Sequence, residues 1–252
     1  MVKWLKENKL EDLTFFGQDW GGLIGLRVVS QEPDRFNKVA VGNTGLPYNP
    51  NVPKGVLKER EKFIKSSKKI TLSDIYKNLR AMKGKPAAHQ VLKFMYWQKY
   101  CWDTKDLPVG LLMSMIGGGR KNLNNIAYYS FVQLGMEKLF PFKPEIAKAF
   151  DAPFPGIEYK MGVRSMPMQV PIIPDRSLSA QKRARDFFKS WNKPFLSVFA
   201  GNDPITNTME KDVLKMCPKV LKAPYVGGEH FYQWTKPKIL SDILIDFVKA
   251  DN

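Results

Sequence analysis

The sequence predicts an α/β fold, in which a mostly parallel sheet is interrupted by an inserted helical block. An apolar run at residues 13–16 is typical of a buried strand, helical spacing follows from Leu23, and a second apolar strand follows at 38–41. A strand, a helix and a strand in this order predict a parallel pair. Strand patterns return at 195–200 and 220–226. We therefore expect four strands in a core of residues 1–45 and 166–252, with a helical insertion at 46–165.

Apolar spacing justifies the helices that surround these strands. Residues 1–8 combine apolar and charged positions as a short helix does, and residues 239–248 carry one continuous apolar stripe that predicts the last helix. Within the insertion, helical patterns occur at about 70–79, 107–116 and 126–140, and convincing strand patterns do not. The insertion should therefore be a cap of helices.

Composition limits the class of protein. The 252 residues are 44% hydrophobic and 12% aromatic, which indicates a globular chain with a sizeable core. We expect no membrane span, because no apolar run approaches the roughly 18 residues required. We also expect no signal peptide, because residues 1–7 contain no apolar stretch of that type. The two cysteines, Cys101 and Cys217, predict no disulfide framework. The simplest expectation is a cytoplasmic protein.

The formal net charge of +16 raises the question of an anionic partner. The lysines are scattered through 58–105 and 138–160, without the interleaved aromatic residues of a nucleic-acid site. We therefore expect a solvated basic face and no specific nucleic-acid binding. Weak attraction to anionic surfaces stays open.

A candidate nucleophile lies between the first strand and its helix, in Gly17-Gln18-Asp19-Trp20-Gly21. Glycines on both sides permit a turn that is too tight for residues with a Cβ atom. The central residue of such a strand-to-helix turn is exposed as a nucleophile elbow, and a carboxylate can attack without first losing a proton. The alternative is a glycine-rich turn whose aspartate caps the helix.

Two later residues complete a candidate catalytic set. Of the two histidines, His230 follows the last predicted strand, whereas His89 lies in the lysine-rich insertion and is expected at the surface. Asp203 directly follows the strand at 195–200. Taken alone, Asp203 is an ordinary turn residue before proline. A nucleophile, an acid and a histidine in this chain order are nevertheless typical of a hydrolase with an elbow.

The sequence resembles the haloalkane dehalogenases of the α/β-hydrolase superfamily, in the subgroup whose catalytic acid follows the penultimate strand. The resemblance extends from end to end of the chain. It is carried by Gly-Gln-Asp-Trp-Gly-Gly at 17–22, Asp-Leu-Pro-Val-Gly at 106–110, Asp-Ala-Pro-Phe-Pro at 151–155, Asp-Pro-Ile-Thr at 203–206 and His-Phe-Tyr-Gln at 230–233.

The resemblance implies a role for each site residue. Asp19 would be the nucleophile, His230 the base and Asp203 the acid that orients the imidazole. The indole groups of Trp20 and Trp97 would bind the leaving halide, and Trp97 could instead be an ordinary aromatic residue of the cap core. The implied reaction converts a halogenated alkane and water into alcohol and halide through an ester on Asp19, without a metal or organic cofactor.

The chain departs from the family pattern at its start. The family has strands and a His-Gly-x-Pro loop before the elbow strand, whereas here only the helix at 1–8 precedes it. We therefore expect an N-terminally shortened sheet that lacks one oxyanion donor. The elbow strand would then lie at an exposed edge, which favours aggregation or self-association.

Two other functions stay open. An epoxide hydrolase would keep the same Asp19, His230 and Asp203 but would need cap tyrosines, for which the candidates are Tyr96, Tyr100, Tyr128 and Tyr129. A third hypothesis is a non-enzymatic one, in which the chain is an inactive remnant that folds poorly or works only by pairing with another chain.

Overall fold

A computed structural model describes residues 1–82, 85–116, 127, 130–131, 134, 136, 145–203, 205–206 and 208–250. The helix predicted at 126–140 therefore lies mostly outside the described residues. The other predicted helices are present as α-helices, and short 3₁₀ turns occur at Pro33–Arg35, Ile157–Lys160 and Met166–Gln169. In chain order the helices with described bounds are α1 (Val2–Glu7), α2 (Trp20–Gln31), α3 (Lys54–Lys65), α4 (Leu72–Ala81), α5 (Ala87–Asp103), α6 (Val109–Ile116), α7 (Glu145–Asp151), α8 (Met161–Ser165), α9 (Leu178–Lys189), α10 (Met209–Met216), α11 (Tyr232–Thr235) and α12 (Pro237–Lys249).

The described residues form one four-stranded sheet in which every pair of neighbours is parallel. Its strands are β1 (Leu13–Gln18), β2 (Phe36–Gly42), β3 (Phe195–Ser197) and β4 (Leu221–Lys222), and they lie side by side in chain order. β1 pairs along its whole length with β2, which in turn pairs with β3. The prediction of a mostly parallel sheet is confirmed. The strand predicted at 220–226 shrinks to two exposed residues that pair with β3.

The chain divides into two compact units, residues 1–51 with 171–252 and residues 52–170. The first unit contains the sheet, and the second consists of helices and turns in its described part. Leu46, which the sequence analysis assigns to the insertion, is fully buried in the core of the first unit.

Two apolar clusters sandwich the sheet of the first unit. One contains Leu26 and Val29 of α2 together with Phe188 of α9, and the other contains Leu240 and Phe247 of α12. The strands between them are apolar because both of their faces are covered, as is usual for parallel sheets. This arrangement fixes the carboxyl ends of the strands, from which the candidate site residues project.

Several lysines are structural, which partly corrects the expectation of a solvated basic face. Lys99 and Lys160, within the scattered lysines of the insertion, are buried, and so is Lys38 of β2. Lys99 Nζ donates to the carbonyls of Ile64 and Ser66 at the end of α3, at 3.1 and 2.6 Å. Carbonyls at a helix C-terminus lack intrahelical partners, and a cation there also interacts favourably with the helix dipole.

Candidate active site

Asp19 lies at a strained turn between β1 and α2. Its backbone has φ 48° and ψ −126°, in a region that non-glycine residues rarely adopt. The surrounding chain holds this conformation, because Asp19 N–H donates to the Asn43 carbonyl at 3.1 Å and Thr44 Oγ1 donates to the Asp19 carbonyl at 2.6 Å. The Asp19 side chain makes no capping hydrogen bond to α2. The alternative of a helix-capping aspartate is therefore not supported.

Two glycines make this tight turn possible, and they are not the two that the motif emphasises. A Cβ atom at Gly17 would lie 2.4 Å from the ring of Phe15, and one at Gly22 would lie 2.2 Å from the side chain of Thr44. A Cβ atom at Gly21 would meet open space. The sequence expectation is thus right for Gly17 and wrong for Gly21, since Gly22 is the second position where the packing excludes a side chain.

One imidazole contacts both predicted carboxylates. His230 Nδ1 lies 2.9 Å from Asp203 Oδ2, and His230 Nε2 lies 3.4 Å from Asp19 Oδ1. Because a carboxylate only accepts hydrogen bonds, Nδ1 carries a proton and donates a hydrogen bond to Asp203. In the neutral imidazole, Nε2 then carries a lone pair on the side of Asp19. The structure thus brings together Asp19, Asp203 and His230, which are far apart in the sequence.

The three groups differ in exposure. The side chain of Asp203 is fully buried and that of His230 is 4% exposed, whereas that of Asp19 is 38% exposed. Asp203 is held by hydrogen bonds from Ile205 N–H at 2.8 Å and from the Thr206 hydroxyl, in addition to that from His230. The side chains of Asp203 and His230 are therefore fixed, and the carboxylate of Asp19 is accessible to a ligand.

Burial and charge oppose each other in setting the pKa values. Burial lowers the pKa of His230, but the charge of Asp203 and the hydrogen bonds to Asp19 and Asp203 outweigh it and raise the pKa to about 10. Burial raises the pKa of Asp203, and the positive imidazole with three hydrogen bonds outweighs it and lowers that pKa below its usual range. The pair therefore favours the ion pair of an imidazolium and a carboxylate.

The sequence did not predict two amide side chains that lie near His230. Asn43 is fully buried at the end of β2 and donates to the carbonyls of Glu229 and His230. Gln18 Nε2 donates to the His230 carbonyl at 3.1 Å and lies 3.4 Å from His230 Nε2. Their only sequence signal is their position, at a strand end and directly before the predicted nucleophile.

The predicted halide-binding tryptophans lie in different units. Trp20 is the first residue of α2 and is half-buried. Trp97 is half-buried on α5, where it packs against the core cluster of Cys101, Leu107 and Leu112 within the second unit. This packing agrees with the alternative of a cap-core aromatic residue, and the halide role of Trp97 stays a prediction.

The tyrosines required by the epoxide hydrolase alternative have packing roles where the structure describes them. The ring of Tyr96 contacts that of Phe63 at a centroid distance of 4.6 Å. Tyr100 packs against the second unit's core, and burial raises its pKa to about 12. Tyr128 and Tyr129 lie outside the described residues.

His89 is only partly as predicted. It lies on α5, half-buried, and its Nε2 atom is buried without a hydrogen-bond partner among the described residues. The expectation of a surface residue is therefore wrong for one side of the ring.

The chain is similar in sequence to curated haloalkane dehalogenases. No protein-family model matches the chain. The haloalkane dehalogenase of Mycolicibacterium paratuberculosis is 26% identical over 253 residues, covering 99% of this chain and 65% of the relative. That of Psychrobacter cryohalolentis is 27% identical over 255 residues, covering 98% and 65%. The chain thus spans less than two thirds of the length of these curated relatives.

The backbone of the chain is similar to that of solved haloalkane dehalogenases. The tetrameric haloalkane dehalogenase DpaA from Paraglaciecola agarilytica has a TM-score of 0.62 at 20% identity, covering 99% of this chain and 65% of the other. For the dehalogenase DatA from Agrobacterium tumefaciens the TM-score is 0.53 at 18% identity, covering 96% and 67%. The chain has the α/β-hydrolase fold. The predicted resemblance to haloalkane dehalogenases is also confirmed, and nothing in these likenesses favours an epoxide hydrolase.

The α/β-hydrolase fold accounts for the placement of the site. In this fold the nucleophile, acid and histidine follow one another along the chain and meet at the carboxyl ends of the strands. Asp19 directly follows β1, while Asp203 and His230 lie in the connections after β3 and β4. No helix among the described residues is long and apolar enough to cross a membrane.

Proposed function

We propose that this chain hydrolyses carbon–halogen bonds of haloalkanes through an alkyl ester on Asp19. The observation that carries the proposal is the single buried imidazole that lies 2.9 Å from Asp203 and 3.4 Å from the accessible Asp19. The haloalkane dehalogenase names of the relatives support the same reaction class. The reaction requires no metal ion or organic cofactor.

In the first step, a carboxylate oxygen of Asp19 attacks the carbon that bears the halogen, in line with the carbon–halogen bond. The new carbon–oxygen bond forms as the halide leaves with the bonding electrons. Donors aimed at the departing halogen stabilise the charge that develops there. We assign this role to the indole N–H groups of Trp20 and Trp97, with residues 52–170 as the cap.

In the second step, His230 removes a proton from water while the water oxygen attacks the ester carbonyl of Asp19. The tetrahedral intermediate carries a negative oxygen, for which the Trp20 backbone N–H is a suitable donor because the fold uses the residue after the nucleophile in this way. Collapse of the intermediate returns the carboxylate, and the alcohol leaves with the proton from His230. Asp203 stabilises the imidazolium between these proton transfers.

The pKa of His230 suits this sequence of steps. Two negative carboxylates face the imidazole before the reaction, and their combined effect raises its pKa. Esterification removes the charge of Asp19, so its part of the stabilisation of the imidazolium is lost. The base therefore becomes easier to deprotonate when the ester is ready for hydrolysis.

We propose that the chain can self-associate through β1. This strand lies at the edge of the sheet among the described residues, and its segment Leu13–Gln18 contains no charged side chain that would discourage pairing with a second copy.

We also propose a cytoplasmic location. Both cysteines are buried and free, which suits a reducing compartment such as the cytoplasm.

Halide release from 1,2-dibromoethane, measured beside diol formation from styrene oxide, tests the proposed function. We expect catalytic halide release from the purified chain and its loss in Asp19→Asn. Diol formation without halide release would instead support an epoxide hydrolase, and a folded chain that yields neither product would support an inactive remnant. Equal turnover by Asp19→Asn and the unmodified chain would exclude catalysis through Asp19.

A further inference from the structure

We propose that Asn43 is a positioning residue, which holds the backbone of His230 at the distance from Asp19 that ester hydrolysis needs. This inference rests on the proposed function. Neither the sequence motif nor the chemistry of the reaction assigns a role to Asn43.

The side chain of Asn43 connects two segments of the site. Its Oδ1 atom accepts a hydrogen bond from Ala200 N–H at 2.9 Å, three residues before Asp203. Its Nδ2 atom donates to the carbonyls of His230 and Glu229, at 2.9 and 3.2 Å. The orientation of the amide is unambiguous, because one partner is a donor and the other two are acceptors.

The backbone of Asn43 connects a third segment. Its carbonyl accepts the N–H of Asp19 at 3.1 Å. Its φ of 47° lies in the left-handed region, which asparagine tolerates better than most residues with a side chain. One residue thus binds the nucleophile through its backbone, and the acid and base segments through its side chain.

Burial makes the hydrogen bonds of Asn43 costly to lose. Asn43 is fully buried, so a lost amide leaves buried carbonyls and an N–H without water to replace the partner. Gln18 Nε2 still reaches the His230 carbonyl at 3.1 Å, but the Glu229 carbonyl and Ala200 N–H lose the side-chain partner that Asn43 provides. We therefore expect the segment around His230 to shift relative to Asp19 when the amide is removed.

Loss of the Asn43 side chain should slow ester hydrolysis more than ester formation. Attack by Asp19 on the haloalkane does not use His230, and Asn43→Gly keeps both the backbone carbonyl that binds Asp19 N–H and a residue that tolerates positive φ. Hydrolysis of the ester needs Nε2 within reach of a water beside the ester carbonyl. Since a displacement of about 1 Å can cost about a hundredfold, we expect Asn43→Gly to slow hydrolysis about ten- to hundredfold. Ester formation should change by less than about threefold because its own contacts persist.

The experiment compares Asn43→Gly with Asn37→Gly, a matched control on the strand that ends directly before Asn43, whose side chain instead contacts Asp12 at the surface. Rapid-quench mass measurement follows formation and decay of the ester with 1,2-dibromoethane. NMR titration follows the His230 ring, which is assignable because the only other histidine, His89, can be identified with His89→Gln. We expect slower decay, accumulated ester and a lower pKa of His230 in Asn43→Gly, because the contacts with Asp19 and Asp203 loosen.

Unchanged ester decay together with an unchanged pKa of His230 would overturn the proposal. Equal slowing of both steps, or equal effects in Asn37→Gly, would show a general loss of structure and would overturn it as well. If Asn43→Gly does not fold, Asn43→Asp tests the same bonds, since its oxygen would face the carbonyls of Glu229 and His230 and should also slow ester decay. If the unmodified chain forms no ester, the proposed function fails, and the NMR titration alone still decides whether Asn43 positions His230.

Discussion

Replacing Asp203 with asparagine changes one atom and removes the charge of a fully buried carboxylate. Oδ2 accepts hydrogen bonds from His230 Nδ1 at 2.9 Å and from the Thr206 hydroxyl, and Oδ1 accepts one from Ile205 N–H at 2.8 Å. An asparagine that turns its oxygen toward His230 loses the bond from Ile205 N–H. One that turns its nitrogen there loses the bond from the Thr206 hydroxyl, and it must also either lose the bond from His230 or force the imidazole into its other tautomer. The first orientation should therefore be preferred by about 1 kcal/mol, the net value of one hydrogen bond.

The orientation of the amide sets the size of the kinetic effect. With the oxygen toward His230, the tautomer is kept but the imidazolium loses its partner charge, and the loss should be about a hundredfold, as for weakened general-base catalysis. With the nitrogen toward His230, Nδ1 must become the acceptor, Nε2 carries the proton, and the loss should approach about ten-thousandfold. These limits correspond to barriers raised by about 3 to 5 kcal/mol.

Single-turnover measurement of ester decay is the assay for Asp203→Asn. We expect a burst of about one equivalent of halide per chain followed by much slower release, because ester formation does not use the acid and ester hydrolysis does. Thr206→Val is the control, since it removes one hydrogen bond from Asp203 and keeps the charge, and its loss should stay below about tenfold. Steady turnover by Asp203→Asn within about threefold of the unmodified chain would refute the assigned role of Asp203.

Three other predictions concern pH, the halide site and stability. Turnover should fall as the pH is lowered, because protonation of His230 in the ester intermediate removes the base, and a rate that is flat between about pH 5 and pH 9 would contradict this assignment. Trp97→Phe should slow halide release with little change in ester decay, as it removes one N–H donor from the first step, and an unchanged rate would assign Trp97 to the cap core alone. Lys38→Met should lower the free energy of unfolding in urea by about 2 kcal/mol, because the buried Nζ atom of Lys38 donates to the carbonyls of Phe247 and Val248 at 3.2 and 3.0 Å. Lys3→Met at the exposed α1 is the control, and an equal effect of both substitutions would contradict the structural role of Lys38.

Local patterns in the sequence were sufficient for the parallel sheet and for the last helix. The strand at 36–42 contains a continuous apolar run, and the helix at 237–249 carries an apolar stripe at helical spacing. Both patterns were informative because the same residues build the core. The strand expected at 220–226 is reduced to two residues, since pairing with the short β3 limits how far the ladder can extend. Its pairing depends on a neighbour far along the chain, which no local pattern contains.

The candidate site was predictable where a motif marks it and unpredictable where single contacts build it. The proximity of Asp19, Asp203 and His230 was predictable because their residue types and chain order together are typical of one fold. Asn43 was missed because one polar residue after a strand has no periodic signature, and its importance depends on partners 157 to 187 positions away. Lys99 was assigned to a solvated face for the same reason, since two of its partners are the carbonyls of Ile64 and Ser66, which only folding brings near.

The oxygen of the alcohol product tests the central claim most directly. In a single turnover in heavy-oxygen water, with the chain in excess over 1,2-dibromoethane, attack by Asp19 predicts an alcohol that carries a light oxygen from the carboxylate. The peptide that contains Asp19 should then carry one heavy oxygen, because water attacks the ester carbonyl. An alcohol that carries heavy oxygen, with Asp19 unlabelled, would mean that water displaces the halide directly and would contradict the proposed ester.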